Sequence, residues 1–266
     1  DLGGTKTITA VGGLVTYLNL TATSENRVEG ARLLFTSDAL PNVVSDSFDI
    51  VIPPPPVIVG AVDANVDESF FVEFADNKTW RSLIFDIRYG IRSLEGNYDI
   101  SEPGKITFDP TVTSILQKSG VDSMYIYSGN YDTVRFEQTI HHGKSKYLVI
   151  VKEPSAPLKN GEVLLRQPQL KLQDQFRNNC VTDNETPVAV KKGDDGDWSL
   201  AGTFTQIAVD GMLKYTDLTA TSEREVEGAR LVFEGTGIIP KLSQSFTIPE
   251  PQVNRAGEAR ANPELV

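Results

Sequence analysis

The stretch KKGDDGDW crowds three carboxylates, Asp194, Asp195 and Asp197, around Gly193 and Gly196. Acidic oxygens on a backbone that glycine lets curl are the donors a hard cation takes, and calcium is the cation they imply. The loop lacks the twelve-residue pattern with a terminal glutamate that a helix-loop-helix calcium site uses. Asp63, Asp67 and Glu68 make a second acidic cluster close to a proline run. The two histidines, His141 and His142, are neighbours at the end of an expected strand. Their side chains then point to opposite faces, so they do not grip one metal together and read as exposed turn residues. His142-Gly143-Lys144-Ser145 ends like a phosphate-binding loop, but position 138, where that pattern needs glycine, holds Gln138. Cys180 has no histidine near it in sequence to act as a base, and it reads as a small half-buried residue. No pair of carboxylates is singled out by its spacing as acid and base, so an enzyme is not the expected reading. Asn19, Asn77 and Asn184 open Asn-x-Ser/Thr triplets, which arise often by chance.

The elements that must position these residues are β-strands. The chain has 266 residues, 39% of them hydrophobic, enough to bury a core in more than one domain. Its apolar residues are mainly Val, Ile, Leu, Phe and Tyr, interleaved with Thr and Ser and broken by 21 Gly and 15 Pro, which favours short strands and turns. The expected class is all-β, as tandem immunoglobulin-like sandwiches with a short helical turn in the middle one. A net charge of −11 disfavours nucleic acid, since such proteins cluster Lys and Arg against phosphate. With one cysteine, no intrachain disulfide and no cysteine-based metal site can form within one copy. No apolar run reaches bilayer-spanning length, and the chain opens on Asp1-Leu2-Gly3-Gly4 without a basic and hydrophobic leader, as a mature or excised piece would.

An internal repeat organises the chain. LTATSENRVEGARLLF in the first fifty residues returns as LTATSEREVEGARLVF, and an offset of 198 aligns residues 1–50 with 199–248 without a gap, about half of the positions being identical. Ala31, Leu33 and Phe35 share one face by period two, as do Phe48, Ile50 and Ile52. The second copy is preceded by a stretch, 167–200, that the first lacks. There Leu170 and Leu172 alternate with polar residues, 174–184 is turn chemistry, and Val188 and Val190 alternate again. The expected domains are therefore 1–52, the back part of a sandwich whose opening strands are missing; 53–60, a proline-rich linker; 61–158, a middle β domain; 159–250, a complete sandwich; and a tail, 251–266. A sandwich without its first strands leaves an apolar face and unpaired edge groups. Either the stretch comes from a longer polypeptide, or a neighbouring copy donates strands; the tail does not resemble the absent QLKLQDQF strand.

In the middle domain Phe70, Val72 and Phe74 alternate as a strand. Residues 76–79 cap a helical turn in which Trp80, Leu83, Ile84 and Ile87 share a face. Ile106 with Phe108, Tyr125 with Tyr127, and Val134 through Ile140 mark further strands. This stretch, with FVEFADNKTWRSLIFDIRYG, YDISEPGKITFDP and the closing VRFEQTI, resembles the hemoglobin-interacting domain family of Gram-positive surface proteins. It departs from the family where a Gly-Tyr pair is usual near the last hairpin: here stands Ser128-Gly129-Asn130-Tyr131, with an insertion. The repeated unit, with LQDQF, TDLTATS and the closing SFTI, is similar to the immunoglobulin-like repeats of invasin-type adhesins and S-layer proteins.

These resemblances imply export and display on a bacterial cell surface or wall. The leading expectation is a structural segment of an S-layer or surface fibre that self-assembles through strand edges or domain junctions, with calcium or cell-wall polymer as further partners. The alternative is an adhesin or receptor segment whose middle domain binds a host protein, a haem protein or a glycan. It points to Tyr125, Tyr127 and Tyr131 as rigid contact area, and the family resemblance allows one of the histidines to touch haem or a partner.

Overall fold

The structure is a computed structural model and describes residues 1–24, 27–51 and 54–252. Ile52, Pro53 and most of the tail at 251–266 lie outside the described residues. Among the described residues the fold is all-β with one five-residue helix, and the chain divides into two compact units. The first holds Asp1–Ala64, Ser69–Leu116 and Val121–Thr139; the second holds Asn65–Glu68, Gln117–Gly120 and Ile140 onward. No helix among the described residues is long and apolar enough to cross a membrane.

In the first unit the leading repeat forms three antiparallel pairs: Leu2–Gly3 with Thr21–Ala22, Val28–Ala31 with Phe48–Ile50, and Leu34–Phe35 with Val43–Val44. After the proline run come two sheets. One orders Tyr98–Asp99, Lys105–Phe108 and Phe70–Glu73; the other orders Val134–Ile140, Gly120–Ser128, Ile84–Tyr89 and Arg92–Ser93. The period-two pattern decides which face of each is dry. Ile106 and Phe108 in the first sheet, and Ile87, Met124 and Ile126 in the second, are fully buried.

The helix Lys78–Ser82 starts as its residues require, with Asn77 Oδ1 accepting from Trp80 N at 3.0 Å. It buries Trp80, whose ring meets Phe74 edge-on at 5.2 Å. It does not extend over Ile84 and Ile87. Leu83 is the C-cap, and the β-branched and aromatic run that follows becomes the strand Ile84–Tyr89, a length over which strand pairing outweighs one more turn of an isolated helix.

The entry to this module is pinned by Gln138, itself fully buried in the strand Val134–Ile140. Its Oε1 accepts from Ala61 N and its Nε2 donates to Ala61 O, both at 2.9 Å. Gly60 allows that approach, because a Cβ there would run into the carbonyl oxygen of Glu137.

The second unit holds the trailing repeat with additional strands. Tyr147–Lys152 pairs with Gln169–Gln173, which pairs with Met212–Lys214. A four-stranded sheet orders Thr205–Ile207, Pro187–Lys192, Leu231–Glu234 and Lys241–Leu242. Leu170, Leu172, Val188, Leu213, Leu231 and Phe233 are fully buried in one core, with Tyr215 donating its hydroxyl to Val188 O at 2.8 Å. Asp174, the aspartate of LQDQF, is buried and held by four donors: the N–H groups of Gly143, Phe176 and Asn178, each at 2.9 Å, and Asn178 Nδ2 at 2.8 Å. A buried carboxylate is tolerable only with such full satisfaction.

Candidate partner-binding face

The strand Gly120–Ser128 turns Met124, Ile126 and Ser128 inward and Tyr125 and Tyr127 outward, half-buried. Register then decides their neighbours. Tyr125 stands opposite Arg88 and Tyr127 opposite Asp86 on the strand Ile84–Tyr89. The pairing shifts between Tyr127 and Ser128, an irregularity of the β-bulge type. Phe85 is 70% exposed, its ring centroid 6.2 Å from that of Tyr127.

Two arginines hold the tyrosine rings. The Arg88 guanidinium carbon sits 5.2 Å from the Tyr127 centroid while its Nε donates to Asp86 Oδ2 at 2.6 Å. The Arg135 guanidinium carbon sits 5.7 Å from the Tyr125 centroid and donates to Ser123 Oγ from Nε at 3.2 Å and from Nη2 at 3.1 Å. Asp86 also accepts from Ser93 Oγ at 2.6 Å. Partial burial pushes the Asp86 carboxyl up, but the Ser93 and Arg88 hydrogen bonds outweigh it and hold it below the ordinary carboxylate value. Asp86 in turn raises Arg88. The result is a face of flat rings with arginines fixed over them, a surface that offers stacking and cation–π contacts with little side-chain entropy left to lose on binding.

Of the three tyrosines singled out in the sequence, the structure gathers Tyr125 and Tyr127. Tyr131 lies in the turn after them, where Asn130 has φ 67° and Tyr131 N donates to Ser128 O at 3.3 Å. It lines a separate small cavity with Arg27, Pro54 and Pro55. Phe85, Arg88 and Arg135 escaped the sequence reading. The alternation of Arg88 and Arg135 with buried neighbours was visible, but which tyrosine each would meet depends on cross-strand register.

The acidic loop is arranged differently from a cation cage. Asp194 Oδ1 accepts from Gly196 N and from Trp198 Nε1, both at 2.8 Å, and Oδ2 accepts from Arg230 N at 2.5 Å. Partial burial pushes its carboxyl up; the bond from Trp198 and then those from Arg230 and Gly196 outweigh that and lower it. Asp195 is exposed, and Asp197 faces Arg224 at 3.9 Å. Among the described residues no group of three or more His, Cys, Asp or Glu side chains is placed to hold a metal ion. In the second acidic cluster, Asp67 accepts from Lys144 N at 2.7 Å and Gln175 Nε2 at 2.9 Å.

His141 is exposed, whereas His142 is built in: Nδ1 bonds Gly143 O at 2.8 Å, and Nε2 meets Thr182 Oγ1 at 2.7 Å and accepts from Thr182 N at 3.2 Å. Those partners assign the proton to Nδ1. Cys180 is buried rather than half-buried, and burial foremost pushes its thiol up to about 11, far from a nucleophile's range.

These features define all-β sandwich modules, among them one with the aromatic and cationic face of Tyr125, Tyr127, Arg88 and Arg135. Residues 57–141, which contain the whole of that face, match the family described as "Heme-binding protein Shr-like, Hb-interacting domain". No curated protein matches the chain. Among solved structures, the D00-D0 domain of intimin is similar at 10% identity, over 74% of this chain and 100% of that one, with a TM-score of 0.39. The Yersinia pseudotuberculosis adhesin InvE is similar at 11% identity, over 73% and 58%, with a TM-score of 0.28. A β-glycosidase from Bacteroides vulgatus is similar at 11% identity with a TM-score of 0.29; 73% of this chain spans 24% of that enzyme.

Proposed function

We propose that this chain is a non-enzymatic segment of a bacterial cell-surface protein in which the module at 57–141 binds a haem protein through the face of Phe85, Tyr125, Tyr127, Arg88 and Arg135. The observation that carries this reading is the coincidence of the family match with an exposed ring-and-guanidinium face inside the same residues. Tyrosine and arginine are the residue types that dominate binding energy at protein interfaces. The flanking repeats, on this reading, hold the module away from the cell.

Self-assembly into an S-layer or surface fibre is the second reading. It is favoured by the edge strand Val43–Val44, whose side chains are 61% and 52% exposed, where the trailing repeat has Lys241 and Leu242. An exposed β-branched edge invites strand pairing, and an edge lysine discourages it.

One experiment separates the two. The purified chain is immobilised and hemoglobin passed over it, with the same protein imaged by electron microscopy. We expect saturable binding that Tyr127→Ala and Arg88→Ala each weaken by about 30-fold, a hot-spot effect. Sheets or filaments without hemoglobin binding, or binding untouched by both variants, overturns the proposal.

A further inference from the structure

The two repeats form the same pairings. Leu2 opposite Ala22, Val28 opposite Ile50 and Leu34 opposite Val44 return, each 198 positions on, as Leu200 opposite Ala220, Val226 opposite Ile248 and Val232 opposite Leu242. The ring pair is also reproduced: Tyr17 to Phe35 at 5.5 Å, Tyr215 to Phe233 at 5.6 Å.

What differs is the set of partners that 146–192 gives the trailing repeat, and in the strands of the repeat itself it shows at two positions. The strands Thr205–Ile207 and Met212–Lys214 have no counterparts at 7–9 and 14–16, although those residues read Thr-Ile-Thr and Leu-Val-Thr. In the trailing repeat these two strands, and Leu231–Glu234, are the ones whose partners come from Gln169–Gln173 and Pro187–Lys192. The side chains beneath follow suit. Leu213 is fully buried and Val15, its equivalent, is 47% exposed; Ile238 is 6% exposed and Leu40 is 69% exposed.

We infer that the face of the leading repeat bearing Val15, Tyr17, Leu33 and Phe35 is a docking surface for one occupant, a two-strand polypeptide segment with the alternation of Leu170 and Leu172 followed by that of Val188 and Val190. The trailing repeat fixes the register. One incoming strand lies along 14–16, its counterpart of Leu170 opposite Val15, as Leu170 is opposite Leu213. The other lies between 7–9 and 33–36, its counterpart of Val190 opposite Phe35, as Val190 is opposite Phe233. The occupant forms backbone ladders with three stretches at once and covers apolar residues, so both components of strand-addition recognition are present.

The test uses the full chain and an extended one. Because the offset is 198, a duplicate of residues 146–198 joined directly ahead of Asp1 reproduces the trailing arrangement without a gap. In the unextended chain, hydrogen exchange at 14–17 and 33–36 should be faster than at 212–215 and 231–234, and the extension should slow it at the former sites by about 100-fold. An extension carrying aspartate at the duplicated positions of Leu170 and Val190 should give no such slowing. The inference is overturned if the unextended chain, as a monomer, protects both sets equally. It is equally overturned if protection appears with rising concentration, the occupant then being a second copy, or if the intact extension changes nothing while slow exchange at 212–215 and 231–234 shows the trailing core folded.

Discussion

Two stretches with about half their residues in common form the same strand pairs, yet one sits on a closed core and the other does not. Pairing register therefore travels with the local sequence, whereas burial comes from strands contributed by the stretch 147–192. The serine after each edge strand makes the point at atomic scale. Leu33 N donates to Ser45 Oγ at 2.9 Å and Leu231 N to Ser243 Oγ at 3.0 Å. The bond is the same, but Ser243 and Leu231 are buried and Ser45 and Leu33 are only partly so.

The largest expected contrast follows from the aromatic at the centre of each repeat. Phe233→Ala opens a cavity in a closed core and should lower the unfolding free energy of the second unit by about 3–5 kcal/mol. Phe35→Ala, at a half-exposed site, should cost about 1 kcal/mol. Denaturant unfolding followed by segment-resolved hydrogen exchange measures both, and equal costs would break the comparison.

A smaller contrast lies in acid. The Asp194 carboxyl is held below its ordinary value of 3.8 by Trp198, Arg230 and Gly196, and it has no counterpart in residues 1–50. A carboxyl with a lowered folded value binds protons more readily when unfolded. Its contribution is therefore complete above 3.8 and is lost as pH falls from there through the folded value. Segment-resolved hydrogen exchange at 188–192 and 231–234 should show the second unit losing stability across that window. Asp194→Asn should flatten the dependence, and an unchanged slope would remove Asp194 from the account.

The smallest is the serine pair. Ser243→Ala leaves the buried Leu231 N–H without its acceptor and should cost about 1–2 kcal/mol, while water can replace Ser45 in Ser45→Ala at a cost of about 0.5 kcal/mol or less. The difference between the two costs, read from the same denaturant curves, sharpens the comparison to a single hydrogen bond.

Much of the architecture was legible because period-two alternation is a local signal: Phe70 with Val72, Ile106 with Phe108, and Leu170 with Leu172 all lie in strands with those residues buried. The helical face through Ile87 was not, since i, i+3, i+4 spacing in a short apolar run also fits a helix followed by a strand, and strand pairing decided it. Tyr125 and Tyr127 were legible as outward residues. Their arginines were not, because Arg88 comes from a neighbouring strand whose register no single segment reveals. The spacing of Asp194, Asp195 and Asp197 suggests a cation, but it does not reveal that the partners of Asp194 are N–H groups, among them Trp198 Nε1 and Arg230 N, that only the folded loop brings close. Asp174 could have been suspected from LQDQF, a carboxylate between alternating apolar residues, though not its four donors.

The clasp between Gln138 and Ala61 has a mechanical consequence. On the proposed reading as a surface segment, tension entering the module from the proline side meets the paired hydrogen bonds between Ala61 and Gln138 before it reaches the strand that carries Tyr125 and Tyr127. Because Gln138 lies close to the point where the chain leaves that sheet, the pull passes from entrance to exit across one side chain. The rings of Tyr125 and Tyr127 are thereby spared that load.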